Sequence, residues 1–161
     1  MEHFAIPCVG AIIEREINGE THILLQRRQK PDGGEDNGKL ELPGGKIQSY
    51  ENVFAALRRE IREETGLTLK TIHGERFPLD TAKHSLLSFS PYYTTQNLSG
   101  AYSIIVHFFR CEAEGEPFPS SDESTDIRWI PLREVRPLFL QDPEQFFFLQ
   151  HTVLRHYLAL E

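Results

Sequence analysis

The 161-residue chain predicts a mixed α/β fold on three observations. Short apolar runs recur at 4–13, 22–28, 101–111 and 126–130, bounded by turn residues as strands are. Residues 50–65 carry a helical period instead. A second helical stripe, Phe146, Leu149, Val153 and Tyr157, lies near the C-terminus. Strands and helices therefore interleave along the chain, which is the α/β pattern.

The elements follow in order. The first strand, 4–13, leads through Ile17-Asn18-Gly19-Glu20, a hairpin signal, into the second at 22–28. A polar, glycine-rich loop at 30–38 precedes a short strand at 39–42, which Pro43-Gly44-Gly45 is expected to end. The helix over 50–65 has Ser49 as its candidate N-cap and Gly66 where a left-handed residue closes a helix. Further strands are expected at 68–77, 101–111 and 126–130, with a long polar loop at 81–100, and a last helix at 143–160. Loops of that length are usually functional or mobile. The length suits one domain over 1–161 with a core of its own.

Composition narrows the partners. A net charge of −7 disfavours nucleic-acid polymers and anionic membranes. A small anionic substrate would have to be met by metal ions and a few placed Arg or Lys side chains. Cys8 and Cys111 lie in strand-like stretches without CxxC spacing, which reads as two buried thiols in a cytoplasmic protein. No apolar run is long enough to span a bilayer, and no basic-then-apolar leader opens the chain.

The chemistry concentrates on the first helix. At 100° per residue, Val53, Phe54, Leu57 and Ile61 define its core face, and Glu60 and Glu64 fall within about 20° of Val53. Glu63 lies further round, Arg59 stands beside the acids, and Arg58 and Arg62 point away. An ordinary Glu-Glu pair at a helix end is a solvated face. Here two acids overlap the buried stripe, where mutual repulsion and desolvation disfavour their charge. A hard divalent cation such as Mg2+ or Mn2+ removes both problems.

The helix continues a longer pattern: Gly45, five residues, Glu51, seven residues, then Arg59-Glu60-Ile61-Arg62-Glu63-Glu64-Thr65-Gly66-Leu67. This is similar to the complete Nudix box, G-x5-E-x7-R-E-U-x-E-E-x-G-U with U aliphatic, and every defined position is matched. The stretch Lys39-Leu-Glu-Leu-Pro-Gly-Gly-Lys-Ile47 resembles the strand and turn that enter the box in MutT-like members, with weaker similarity over 5–132. The resemblance implies a mixed β-sheet sandwiched between α-helices, an α/β/α sandwich. It implies a metal-dependent hydrolase of a pyrophosphate bond in a nucleotide-type small molecule.

The resemblance also implies roles. The Gly44 carbonyl, Glu60 and Glu64 hold metal, with Glu63 a further or shared ligand. Arg59 orients the glutamates, and Glu51 belongs to the same machinery. Glu123, in the loop before the strand bearing Trp129, stands where MutT-like enzymes place an outlying metal-binding glutamate, and its neighbour Asp122 could replace it. The general base is one of the box glutamates or Glu123. Arg27, Arg28, Lys39 and Lys46 are the substrate-side candidates, each weighed against an ordinary solvated cation. His107 is read as a packed or edge residue of a strand, and Phe146, Phe147 and Phe148 as core.

The box does not name the leaving group. A (deoxy)nucleoside triphosphate fits the MutT-like stretch, although 138–144 has no Asn where base-reading members carry one. ADP-ribose, a sugar nucleotide or a dinucleoside polyphosphate would instead use Tyr92, Tyr93 and Gln96 to stack on a second moiety. A non-catalytic nucleotide sensor is the reading from another class, and such proteins usually lose box acids that this chain keeps. The resemblance leaves monomer and homodimer open.

Overall fold

The first apolar run forms β1 (Ile6–Ile17), which turns into β2 (Glu20–Arg28). Asn18 and Gly19 take φ of 52° and 79°, the pair of left-handed residues that a tight hairpin turn requires. The computed structural model describes residues 1–160. After the polar loop, β3 (Leu40–Glu41) pairs with β2 and β4 (Gly44–Lys46) pairs with β1. The glycine pair therefore does not end strand structure, contrary to the expectation from the sequence, because Gly44 and Gly45 themselves pair with β1. The chain jogs at Pro43 from one neighbour to the next.

Helix α1 (Val53–Thr65) starts three residues later than the periodicity predicts. Asn52, not Ser49, is its N-cap: the Asn52 side chain accepts from the amides of Phe54 (2.9 Å) and Ala55 (3.4 Å). Tyr50, at φ 61°, makes the turn before it. Gly66 closes the helix at φ 78°. Then follow β5 (Thr68–Ile72), a separate hairpin of β6 (Leu79–Asp80) with β7 (Ser85–Leu86), and β8 (Tyr93–Gln96). The expected loop at 81–100 thus contains two short strands, one of which joins the main sheet. Strands β9 (Ile104–Glu114) and β10 (Ser124–Pro131) complete the set.

The C-terminal region departs most from expectation. Helix α2 (Leu132–Gln141) has no counterpart in the sequence reading, because Pro131 and Pro137 punctuate it. The predicted helix over 143–160 is two 3-10 turns, 143–145 and 148–150, followed by α3 (His151–Tyr157). The interruption has a cause: Leu40 bridges Phe146, and the Phe147 amide donates to the Leu40 carbonyl (2.8 Å), so β3 captures this segment in extended form.

The main sheet runs β10-β2-β1-β9-β5, with β3, β4 and β8 paired alongside. β1 and β9 are parallel and the other pairs antiparallel, so the sheet is mixed. Its central strands are buried on both faces, which explains their nearly continuous apolar runs. Cys8, Ile12, Ile23, Leu25 and Phe108 pack on the side of α2 and α3. Val9, Ala11, Ile13, Leu24 and Phe109 pack under Val53, Phe54, Leu57 and Ile61 of α1. The α/β/α sandwich follows from this alternation. Cys8 and Cys111 are free and buried, and burial pushes the Cys8 thiol up to about 11. Phe146 and Phe147 are core, but Phe148 is exposed. His107 sits on β9 beside Thr94 Oγ1 (3.0 Å) and the edge of Phe89, as a packed strand residue does. Among the described residues no helix is long and apolar enough to cross a membrane.

Because one side chain caps two of the free amides at the start of α1, Asn52→Ala is expected to cost about 1 kcal/mol. A urea titration should show a lower midpoint with an unchanged slope; an unmoved midpoint would contradict the cap.

Candidate active site

The last two turns of α1 bring Glu60 and Glu64 against β4. Glu64 is 5% exposed, the deepest acid of the helix. Its Oε2 accepts from the Gly44 amide (3.0 Å) and from Gln26 Nε2 (3.2 Å), which also approaches Glu41 at 3.4 Å. Glu60 lies against Gly45, where any Cβ would collide with its carboxyl group. A Cβ on Gly44 would collide with the backbone of Val9 and Gly10 on β1. The close approach that the glycine pair permits is thus to β1 on one side and to a carboxylate on the other.

Arg59 gathers the flanking acids. Its Nε and Nη2 grip Glu51 at 2.7 and 2.9 Å, Nη1 donates to Glu60 at 2.8 Å, and Nη2 reaches the Lys46 carbonyl at 3.0 Å. Glu63 Oε2 is 3.5 Å from the same guanidinium, with its side chain largely in solvent. Gln48 completes the Glu51 cradle by donating its amide (2.9 Å). The Arg59 fork holds the Glu51 carboxyl below its ordinary range. Burial dominates at the other acids: Glu60 and Glu41 are raised, and Glu64 is pushed up to about 8 by desolvation and then by the Glu41 charge.

Lys30, absent from the expected set, enters from the loop after β2. Its ammonium lies 2.5 Å from Glu123 Oε2 and 3.9 Å from Glu64 Oε1. Burial alone would favour the neutral amine, but the hydrogen bond to Glu123 and the charge of Glu64 outweigh it and raise the Lys30 pKa. Lys30 is what connects Glu123 to the box acids. Gln26 and Glu41 were also missed. Their signal was a polar residue inside an apolar strand, in Ile23-Leu-Leu-Gln26 and Leu40-Glu41-Leu42.

The substrate-side candidates divide. Arg28 is neither solvated nor open to a phosphate. It is 8% exposed, donates to Glu41 Oε2 (3.2 Å), and its guanidinium lies over the rings of Phe147 (4.2 Å) and Tyr102 (5.4 Å), with Nε unpartnered. Lys39 donates to the Glu144 carbonyl at the rim of a cleft of about 320 Å³, which Arg27 and Asn37 also line. The Lys46 side chain is exposed above β4. Tyr93 stacks on His156 of α3 (4.6 Å), and Tyr92 meets Tyr157 edge-on (6.4 Å). Those rings are committed to packing, not presented to a second moiety.

Among the described residues no three His, Cys, Asp or Glu side chains converge tightly enough to enclose a metal ion. Arg59 draws Glu60 one way, while Gln26 and Gly44 hold Glu64 another. The donor set still fits a hard divalent ion. The acids offer oxygen ligands only, Glu64 is buried at a cost that a cation would offset, and an ammonium already stands on Glu64 and Glu123.

Comparison with known proteins shows what the chain as a whole is similar to. A family profile described as NUDIX domain matches residues 6–151. An oxidized purine nucleoside triphosphate hydrolase of Danio rerio is 31% identical over 149 residues, covering 82% of this chain and 82% of that protein. A MutT-like protein of Streptomyces ambofaciens is 29% identical over 132 residues, covering 79% of this chain, which spans 64% of that relative's length. A NUDIX hydrolase of known structure from Nitrosomonas europaea superposes with a TM-score of 0.66 at 20% identity, over 99% of this chain and 73% of that one.

Glu64 makes stability depend on pH, and would do the same for the affinity of a metal ion that it held. Between its ordinary 4.5 and about 8, the folded metal-free chain keeps a proton that the unfolded chain has lost. Its contribution is therefore most favourable at low pH and declines as pH rises to about 8. The melting temperature of the metal-free protein should fall over this window, and added Mg2+ should flatten the fall. Metal affinity, which requires that proton to leave, should rise about tenfold per pH unit below 8. A pH-independent affinity in calorimetric titrations would contradict a proton on Glu64.

Proposed function

The chain belongs to the NUDIX family, and from that premise we propose that it is a divalent-metal-dependent hydrolase of (deoxy)nucleoside triphosphates, cutting a phosphoanhydride bond. The observation that carries this reading is the buried Glu64 beside half-buried Glu60 on the Gly44-Gly45 strand, with Arg59 organising the acids around them. Acids set this deep, without a cation to match all of them, are poorly explained by stability alone. The triphosphate preference rests on the Danio rerio relative, which is named for an oxidized purine nucleoside triphosphate.

Glu60, Glu64 and the Gly44 carbonyl would hold Mg2+ or Mn2+, with Glu63 and Glu123 as further ligands. Bound there, the ion neutralises phosphate charge and makes a water nucleophilic near neutral pH. Arg59 is a positioning residue in this scheme. It fixes Glu51 and one oxygen of Glu60, which restricts the rotamers of the second glutamate. A box glutamate or Glu123 takes the proton from the attacking water. Lys46, exposed at the end of β4, and Lys39, at the rim of the cleft with Arg27, are the cations placed to meet an anionic substrate. Arg28 would shape the apolar side of that space through Phe147 and Tyr102 rather than bind phosphate freely.

The test is turnover of a nucleotide panel with Mg2+ or Mn2+, comparing the protein with its Glu64→Gln variant. A triphosphate should be hydrolysed with release of pyrophosphate or phosphate. Glu64→Gln should lower kcat by at least about 10²-fold while the fold stays intact. Preferential turnover of ADP-ribose or a sugar nucleotide would replace the triphosphate assignment. Binding without turnover of any member would reject the hydrolase reading.

A further inference from the structure

Lys30 lies outside the box pattern, yet its placement is fixed from several directions. Its amide donates to Asn37 Oδ1 and its carbonyl accepts from Asn37 Nδ2, both at 2.9 Å. The amide of the preceding Gln29 donates to the carbonyl of Glu123 (2.8 Å), which laces the Glu123 loop to the end of β2. From this pinned backbone the Lys30 side chain turns inward, 27% exposed, and spans Glu123 and Glu64.

The distribution of contacts on Glu64 is informative. Both hydrogen bonds that it accepts from Gly44 and Gln26 end on Oε2. Its Oε1 faces the Lys30 ammonium instead. The oxygen left for a divalent ion is therefore the one that Lys30 addresses. A metal ion shared between Glu64 and Glu123 would compete with the ammonium now between them for Glu123 and for the ionised form of Glu64, and the two cations would repel each other.

We propose that Lys30 is an internal counter-ion of the metal site, holding Glu64 and Glu123 together in the metal-free protein and competing with the divalent ion for them. The inference rests on the metal-site assignment above. Its consequence is that the metal-free site keeps a ready-made arrangement of acids, while its intrinsic metal affinity is held down by the cost of displacing the ammonium. Lys30 is a positioning residue in this account, and it acts through Glu64 and Glu123.

Calorimetric titration of Mn2+ into the full chain tests this without reference to turnover. Lys30→Met removes the charge with little change of length, while Lys30→Arg keeps it. The competition predicts Mn2+ binding about tenfold tighter in Lys30→Met than in the parent protein. Lys30→Arg should stay within about threefold of the parent. The metal-free Lys30→Met protein should also melt lower than the parent, and saturating Mn2+ should close that gap. A salt bridge that merely supports the fold would lower the melting temperature without tightening the metal, and that result would overturn the proposal. Unchanged or weaker Mn2+ affinity in folded Lys30→Met would do the same. Should no nucleotide be turned over while these affinities shift as stated, the hydrolase reading fails and the counter-ion survives.

Discussion

A carboxylate that is 5% exposed dictates much of the architecture around it. Glu64 sits on the last turn of α1, within the side of the helix that packs against the sheet. Burying it requires donors, and each donor constrains another element. The Gly44 amide must face it, which fixes β4; Gln26 must point up from β2, inside an otherwise apolar run. Gln26 in turn reaches Glu41 on β3, and Glu41 is balanced by Arg28. A chain of polar groups thus runs through the sheet, although two atoms in it, Gln26 Oε1 and Arg28 Nε, find no hydrogen-bond partner. Such a network costs stability compared with an apolar core, so its presence argues for a purpose beyond folding.

The sheet makes this burial geometrically possible. β1 is the hub: it takes β2 and β4 antiparallel and β9 parallel, and it is covered on both faces. The jog at Pro43 lets one short stretch serve two neighbours. It pairs with β2 through Leu40 and Glu41 and with β1 through Gly44 to Lys46. A Cβ at Gly44 would run into the β1 backbone, which cannot give way, and one at Gly45 would push the Glu60 carboxyl group out of its place. The two glycines are therefore packing residues of the site and not simply flexible ones.

Reading the sequence reached the hub and the helix more easily than the periphery, for physical reasons. Helical and alternating apolar periods report burial directly, so β1, β2, β9 and the core face of α1 were legible. The depth of Glu64 was legible as well, since its angle on the helix placed it beside Val53. Boundaries set by one side chain were not: Asn52 and Ser49 are equally good caps until the turn at Tyr50 is known. The region after β10 misled in both directions. Pro137 disguised a real helix, while the stripe Phe146-Leu149-Val153 suggested one helix where β3 pulls the chain extended. Lys30 was invisible because its loop has no period, and its role depends on a partner 93 residues away.

The same distinction bears on specificity. Glu60 and Glu64 are carried by one helix, α1, whose period is local to the sequence, and meet β4, which β1 holds in place. The surfaces that would choose a substrate are arranged by contacts distant in sequence. Arg28 is pinned by Glu41 on one side and by Tyr102 and Phe147 on the other, so its guanidinium is part of a wall. Lys39 is turned towards the carbonyl of Glu144, which ties the entrance of β3 to the segment after α2. A ligand entering between them would meet a surface whose shape depends on 142–148, the stretch that β3 holds out of helical form. Variation in that stretch would therefore alter the leaving-group side while leaving Glu60, Glu64 and Arg59 in place. The box acids and Arg59 lie in one continuous segment of sequence, whereas Gln26, Lys30 and Glu123 reach Glu64 or its neighbours from other segments, as the walls of the cleft do.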